Sequence, residues 1–239
     1  MFSELYPHEI ILLAGGCILF VLAVVLVVVS AIQGKPFGKV AFLFVFAIVM
    51  IGFPSYSKIE ISKDGVTLEK NVHELLQDPT NNELRSMVNA EVAKLSARPL
   101  QDPKLLTTVA RAQIALGDNA AAEANVQKAL QASPSQPGAL ELKNRIALDR
   151  NLEQLTAKVQ SDPNDAGAKA QLNGAVTDAS KIQVASPVTL ANLARAHAVL
   201  GNDSKAKENV DKVIKINPAL TPEMVFRRRA TGSGRSPYP

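Results

Sequence analysis

Few residues in this chain could make or break a bond. Its 239 residues include three histidines and one cysteine. His8 borders a long apolar run, His73 precedes the turn signal Asp78-Pro79, and His197 sits in a helical pattern. None has a second histidine, a cysteine or a carboxylate at the spacing a metal site requires. Cys17 lies inside the apolar run, and with one cysteine no intrachain disulfide can form. No glycine-rich loop follows a strand-like segment, and no nucleophile elbow occurs. The expectation is a protein that is not an enzyme and has no metal or cofactor. Its chemistry would be recognition, with Arg227, Arg228 and Arg229 near the C-terminus as one cluster of charge that could serve it.

The charge distribution points the same way. The formal charge is +4, and residues 223–239 hold four arginines against one glutamate, so the rest is nearly balanced. A nucleic-acid-binding domain would carry its basic patch on the folded part, so no nucleic-acid partner is expected. The terminal arginines are read either as a solvated flexible tail or as a docking element for anionic lipid or an acidic surface.

These residues need elements to position them, and the first is a membrane anchor, residues 1–56. Ile10 to Ile32 is an apolar run of 23 residues without a charge. As a helix it is roughly 34 Å long, enough to span a bilayer. A cleaved signal peptide fits less well, because no lysine or arginine precedes the run. A lipid anchor on Cys17 is disfavoured by the same missing basic segment and by the run continuing past it. A second run, Val40 to Phe53, reaches spanning length only if Lys39 snorkels and Tyr56 sits at the interface. The expected anchor is thus a transmembrane helical hairpin. Lys35 and Lys39 in its loop, against Glu4 and Glu9 before it, place the loop in the cytoplasm and the soluble part outside, in the periplasm of a bacterial inner membrane. Lys58, Lys63 and Lys70 argue against that orientation.

Residues 57–81 read as a small β-hairpin and connector. Lys58 to Ser62 alternates polar and apolar, Lys63-Asp64-Gly65 is a turn signal, and Val66 to Glu69 alternates again. Residues 82–222 read as helical. Two windows, Pro103 to Gln136 and Pro187 to Leu220, align without gaps and are identical at 12 of 34 positions. Gly117 and Gly201 would end the first helix of each window, where a positive φ is needed. Ala122 and Ala129, with Ala206 and Val213, would let the second helix approach closely, and Pro134 and Pro218 would end it. Pro137 to Ser186 reads as degenerate repeats with shortened helices, with helical patterns at Ala139 to Gln160 and Ala166 to Lys181, and residues 223–239 as the basic tail.

A 34-residue period with Ala-Arg-Ala, Leu-Gly and a terminal Pro resembles the tetratricopeptide repeat. The family's large aromatic near the window start is replaced by Leu106 and Leu190, and its usual Tyr by Gln113 and His197. The resemblance implies an α-solenoid, giving a mainly α chain overall: transmembrane hairpin, small β-hairpin, tetratricopeptide-like solenoid. It also implies a partner-binding groove at Lys104, Thr107, Thr108 and Arg111, and at Val188, Ala191, Asn192 and Arg195. Arg111 and Arg195 share one repeat position and would suit a carboxylate ligand, unless nearby carboxylates or water satisfy them. The family's two-carboxylate chaperone clamp needs Lys and Asn where Thr107 and Arg111 stand, so it is not implied. The layout resembles membrane assembly factors of the cytochrome c maturation type, without their long loop between the spans. The expected function is a membrane-anchored adaptor or scaffold that binds other proteins and assists assembly of a membrane complex. The alternative is a structural accessory subunit of a large respiratory or photosynthetic complex.

Overall fold

The structure, a computed structural model, describes residues 7–33, 38–182 and 186–227. Ten helices occur among them: α1 Pro7–Ile32, α2 Gly38–Gln77, α3 Asn82–Ser96, α4 Pro103–Leu116, α5 Asn119–Ala132, α6 Pro137–Ser161, α7 Ala166–Ser180, α8 Pro187–Val199, α9 Asp203–Ile216 and α10 Pro222–Phe226. No strand occurs among the described residues.

The expected β-hairpin at residues 58–69 is therefore wrong, because that segment lies inside the 40-residue helix α2. The buried positions explain why. Ile61, Gly65, Leu68, Val72 and Leu75 are buried, a spacing of four, three, four and three that forms one stripe on a helix. The alternation required Ile59 and Val66 on the same face as Ile61 and Leu68, yet these two are 55% and 67% exposed. His73 to Gln77, in the expected connector, form the last turn of α2.

The chain divides into two compact units, Met1–Val66 with Lys94–Gln101, and Thr67–Ala93 with Asp102–Pro239. In the first unit, α1 packs on the apolar part of α2. A Cβ at Gly16 would stand 2.9 Å from both Ile51 Cγ1 and Met50 Cβ and 3.1 Å from the Ile51 backbone nitrogen. Phe20 meets Phe44 edge to face at 5.5 Å between ring centroids. Ala23 and Ala47 are fully buried. Small residues thus let the two backbones approach, as in helix pairs within lipid. Ile10–Ile32 is long and apolar enough to cross a membrane, and a signal sequence has the same signature. The second apolar stretch reaches only Phe42–Gly52 among the described residues, and the side chains of Lys39 and Tyr56 lie outside them. In the same unit Lys94 Nζ pairs with Asp64 at 2.8 Å and Glu60 at 3.1 Å, and Arg98 reaches Glu60 at 3.4 Å. Lys94, with Arg98 adding, draws the Glu60 pKa down.

The second unit is a stack of paired helices. Proline opens α4, α6, α8 and α10, where its missing N–H costs nothing. Asp102 caps α4 by accepting from Lys104 N at 2.7 Å, and Asp165 caps α7 by accepting from Ala168 N at 2.8 Å. Gly117 and Gly201 take φ of 92° and 76° at the ends of α4 and α8, which turns the chain into α5 and α9. Helix α4 packs on α5 and α8 on α9. Ala122, Ala129, Ala206 and Val213 are all buried, Ala122 against Ala110 and Ile114 of α4 and Val213 against Leu190 and Ala194 of α8.

Helices α6 and α7 fall on the helical patterns expected at Ala139 to Gln160 and Ala166 to Lys181, but α6 is not shortened. It has 25 residues and serves two cores. Leu142 and Ile146 join Ala110, Ile114, Ala122 and Val126 of α4 and α5. Leu152 and Val159 join Leu172 and Val176 of α7 and Leu193 of α8. Helix α8 is two-sided as well, since Leu190 and Ala194 pack with Val210, Val213 and Ile216 of α9. Val225 of α10 closes that last core. The stretch read as a flexible tail therefore begins as an ordered turn of helix.

Candidate partner-binding cleft

The residues expected to form the groove wall lie on α4 and α8, both of which pack on α6. Lys104 is exposed. Thr107 is 5% exposed and donates to Pro103 O at 2.6 Å, so its hydroxyl is spent on its own helix. Thr108 Oγ1 donates to Lys104 O at 3.2 Å. Arg111 crosses Gly138 of α6, where a Cβ would stand 3.5 Å from its Nη2. Asn192 is 4% exposed, donates to Asp149 O at 3.1 Å and accepts from Arg195 Nη2 at 2.9 Å. Arg195 also donates from Nε to Ala191 O at 3.2 Å. Val188 and Ala191 are half-buried.

The structure thus does not assemble these residues into one open wall. Arg111 of α4 lies against the start of α6. Arg195 lies beside Glu153, Thr156 and Gln160 near its end, in a space of only about 20 Å³ that Phe226 of α10 also lines. The chain's own C-terminal helix partly fills the second half of the expected groove. Of the terminal arginines, Arg227 is exposed and its backbone N–H donates to Glu223 O at 2.9 Å. Arg228 and Arg229 lie outside the described residues.

Two features escaped the sequence reading. The first is Asp149, 3% exposed on α6 between Ile146 and Leu152, where α6 passes from one core to the next. Its Oδ2 accepts from Thr189 Oγ1 and Asn119 Nδ2, each at 3.1 Å. Ser186 Oγ lies 2.9 Å from Thr189 Oγ1 and caps α8. Burial raises the Asp149 pKa, and the hydrogen bonds from Thr189 and Asn119 and the charge of Arg145 oppose the rise. Arg145 is itself pushed down by burial. This cluster joins α5, α6 and α8. The available signal was an acid three residues from an apolar position on either side, hence on the inward stripe.

The second feature is a cleft of about 710 Å³ in the second unit, between the end of α2, the end of α7, and α8 and α9. Its floor is apolar: Leu76, Ile182, Leu190, Leu193 and Ile216. Its rim carries Lys181, Lys205, Lys212 and Lys215 against the single carboxylate of Glu208. Lys212 pairs with Glu208 at 2.6 Å, and Lys181 with Asp178 at 2.9 Å. His197 lines the cleft at 5% exposure, and its Nδ1 is buried without a hydrogen-bond partner among the described residues. Burial lowers the His197 pKa, Lys205 lowers it further, and Glu208 opposes, so the ring is neutral at pH 7. At the matching position of the first window, Gln113 Oε1 accepts from Asn125 Nδ2 at 2.9 Å. The second window's Asn209 donates instead to Lys205 O at 2.8 Å. The two windows therefore differ in chemistry at this position: the first closes the pair internally and the second leaves His197 Nδ1 buried without a partner among the described residues. Among the described residues no group of histidine, cysteine and carboxylate side chains could hold a metal ion.

No protein-family model, curated protein or solved structure matches this chain.

Proposed function

We propose that this chain is a membrane-anchored adaptor of tetratricopeptide type, which binds another protein through its helical stack and helps to assemble or stabilise a membrane complex. The observation that carries the reading is the cleft: an apolar floor under a polar rim, on a stack of capped helix pairs, is the shape of a recognition surface. The repeat reading is supported by the two positive-φ glycines at matching positions of the two windows.

The anchor in this proposal is a two-span hairpin. Its support is the contact of Gly15 and Gly16 with Met50 and Ile51, which commits the short second stretch to the first helix. The membrane is of bacterial inner type, with the soluble part outside. Orientation is tested by a single cysteine placed near the C-terminus of a Cys17→Ser protein. Labelling by an impermeant thiol reagent in intact cells is the expected result, and labelling only after lysis reverses the topology.

The accessory-subunit reading keeps one observation in its favour. Phe42 and Phe46 are 72% and 53% exposed on α2, and neighbouring helices could cover them as well as lipid. Purification in mild detergent separates the two. An adaptor washes off its complex, whereas a subunit stays stoichiometric with it.

A further inference from the structure

We propose that the cleft between α2, α7, α8 and α9 takes an acidic peptide segment of a partner protein, with its apolar side chains on the leucine and isoleucine floor and its carboxylates on Lys205 and Lys215. The inference rests on the adaptor reading and adds to it the chemistry and place of the ligand.

Charge selects the sign of the occupant. Of the four rim lysines, Lys181 and Lys212 already have carboxylate partners. Lys205 and Lys215 form no ion pair among the described residues. Spacing selects a peptide over a small anion. Lys205, Lys212 and Lys215 stand on one α9 helix, and ten residues separate the first from the last, about 15 Å along the axis. One headgroup or one free carboxylate cannot satisfy both ends, whereas a segment with carboxylates two or more turns apart can. The floor argues for side chains between those carboxylates, since Leu190, Leu193 and Ile216 have no charge to offer a phosphate backbone. His197 lines the same cleft at 5% exposure, beside the apolar floor.

This surface differs from the wall expected at Arg111 and Arg195. None of Lys104, Thr107, Thr108, Arg111, Asn192 or Arg195 lines it.

The test uses the full chain in nanodiscs of neutral lipid. The probe is a labelled amphipathic peptide of glutamate and leucine, about four helical turns long. A matched peptide with lysine in place of glutamate is the control. Binding is read by fluorescence anisotropy, and a zero-length carbodiimide then joins peptide carboxylates to lysines for mapping by mass spectrometry. The expected result is cross-linking to Lys205 and Lys215. In Lys205→Glu/Lys215→Glu, whose changes are at exposed positions and should leave the circular dichroism intact, binding should weaken by about tenfold or more. Cross-links at Lys104 or Lys143 instead move the site to the α4 and α6 wall, which overturns the proposal and leaves an adaptor standing. Displacement of the peptide by phosphatidylglycerol vesicles at constant ionic strength overturns it in favour of a lipid surface. No binding above the lysine control also overturns it, and the stoichiometry of the native complex then decides the adaptor reading separately.

Discussion

Asp149 is held in place by the side chains of Thr189 and Asn119, which donate to its Oδ2. Replacing it with alanine leaves Asn119 Nδ2 without its acceptor, leaves Thr189 Oγ1 with Ser186 Oγ alone, and removes a carboxylate whose charge acts on Arg145. The expected loss is about 3 kcal/mol, since a buried network loses one member while the rest stay desolvated. Asn at this position keeps an acceptor oxygen and should cost less. Chemical denaturation of the detergent-solubilised chain, followed by circular dichroism, measures both. His197 gives a pH signature. Its folded pKa is lowered, chiefly by burial, so the unfolded chain takes up the proton first as pH falls below about 6.5. The stability due to the neutral buried ring is complete above that pH and is lost as pH drops toward the folded value. His197→Gln, which copies Gln113 of the first window, should remove that part of the slope in melting temperature between pH 7.5 and 5.5, roughly a unit either side of the ordinary histidine range.

At the scale of elements, α2 shows where period and propensity can be misread. Lys58 to Glu69 contains a lysine-aspartate-glycine triplet that reads as a turn, and apolar residues two apart on each side. Within so short a window a period of two and a period of 3.5 share positions such as Ile61 and Leu68. Only extension to Val72 and Leu75 separates them, and the apparent breaker at Gly65 hid that continuity. Gly65 in fact falls on the buried stripe inside α2. By contrast the turns at Gly117 and Gly201, the proline helix starts and the small-residue contacts of α5 and α9 were legible, because one residue type answers one backbone demand. The arginine wall was less legible, because solvent-facing positions depend on which helices lie over them. Phe226 near Arg195 could not be placed from spacing alone. Val66→Pro tests the correction at α2. Val66 is 67% exposed, so a surface loop would tolerate the change, while an unbroken helix should lose about 3 kcal/mol or more. The hairpin contact has its own test. Gly16→Ala should lower the thermal stability of the detergent-solubilised protein, because the Ile51 backbone stands in the way. Gly52→Ala, with nothing within 4 Å, should raise stability by about 0.5–1 kcal/mol. Differential scanning fluorimetry on the pair gives the sign of each.

At the scale of the whole molecule, the sharing of α6 between two cores has a thermodynamic consequence. In a stack whose units each contact only their neighbours, terminal pairs can fray while the centre persists. Here α6 contributes Leu142 and Ile146 to one core and Leu152 and Val159 to the next. Melting either core removes the support for a helix the other needs. The stack around α6 should therefore lose its protection in a single step. Amide hydrogen exchange should find the α6 backbone among the slowest in the second unit and α10 among the fastest. A destabilising change anywhere along α6 would then be felt at α4 and at α7 alike, so a repeat array built from separable parts behaves at this point as one folding unit.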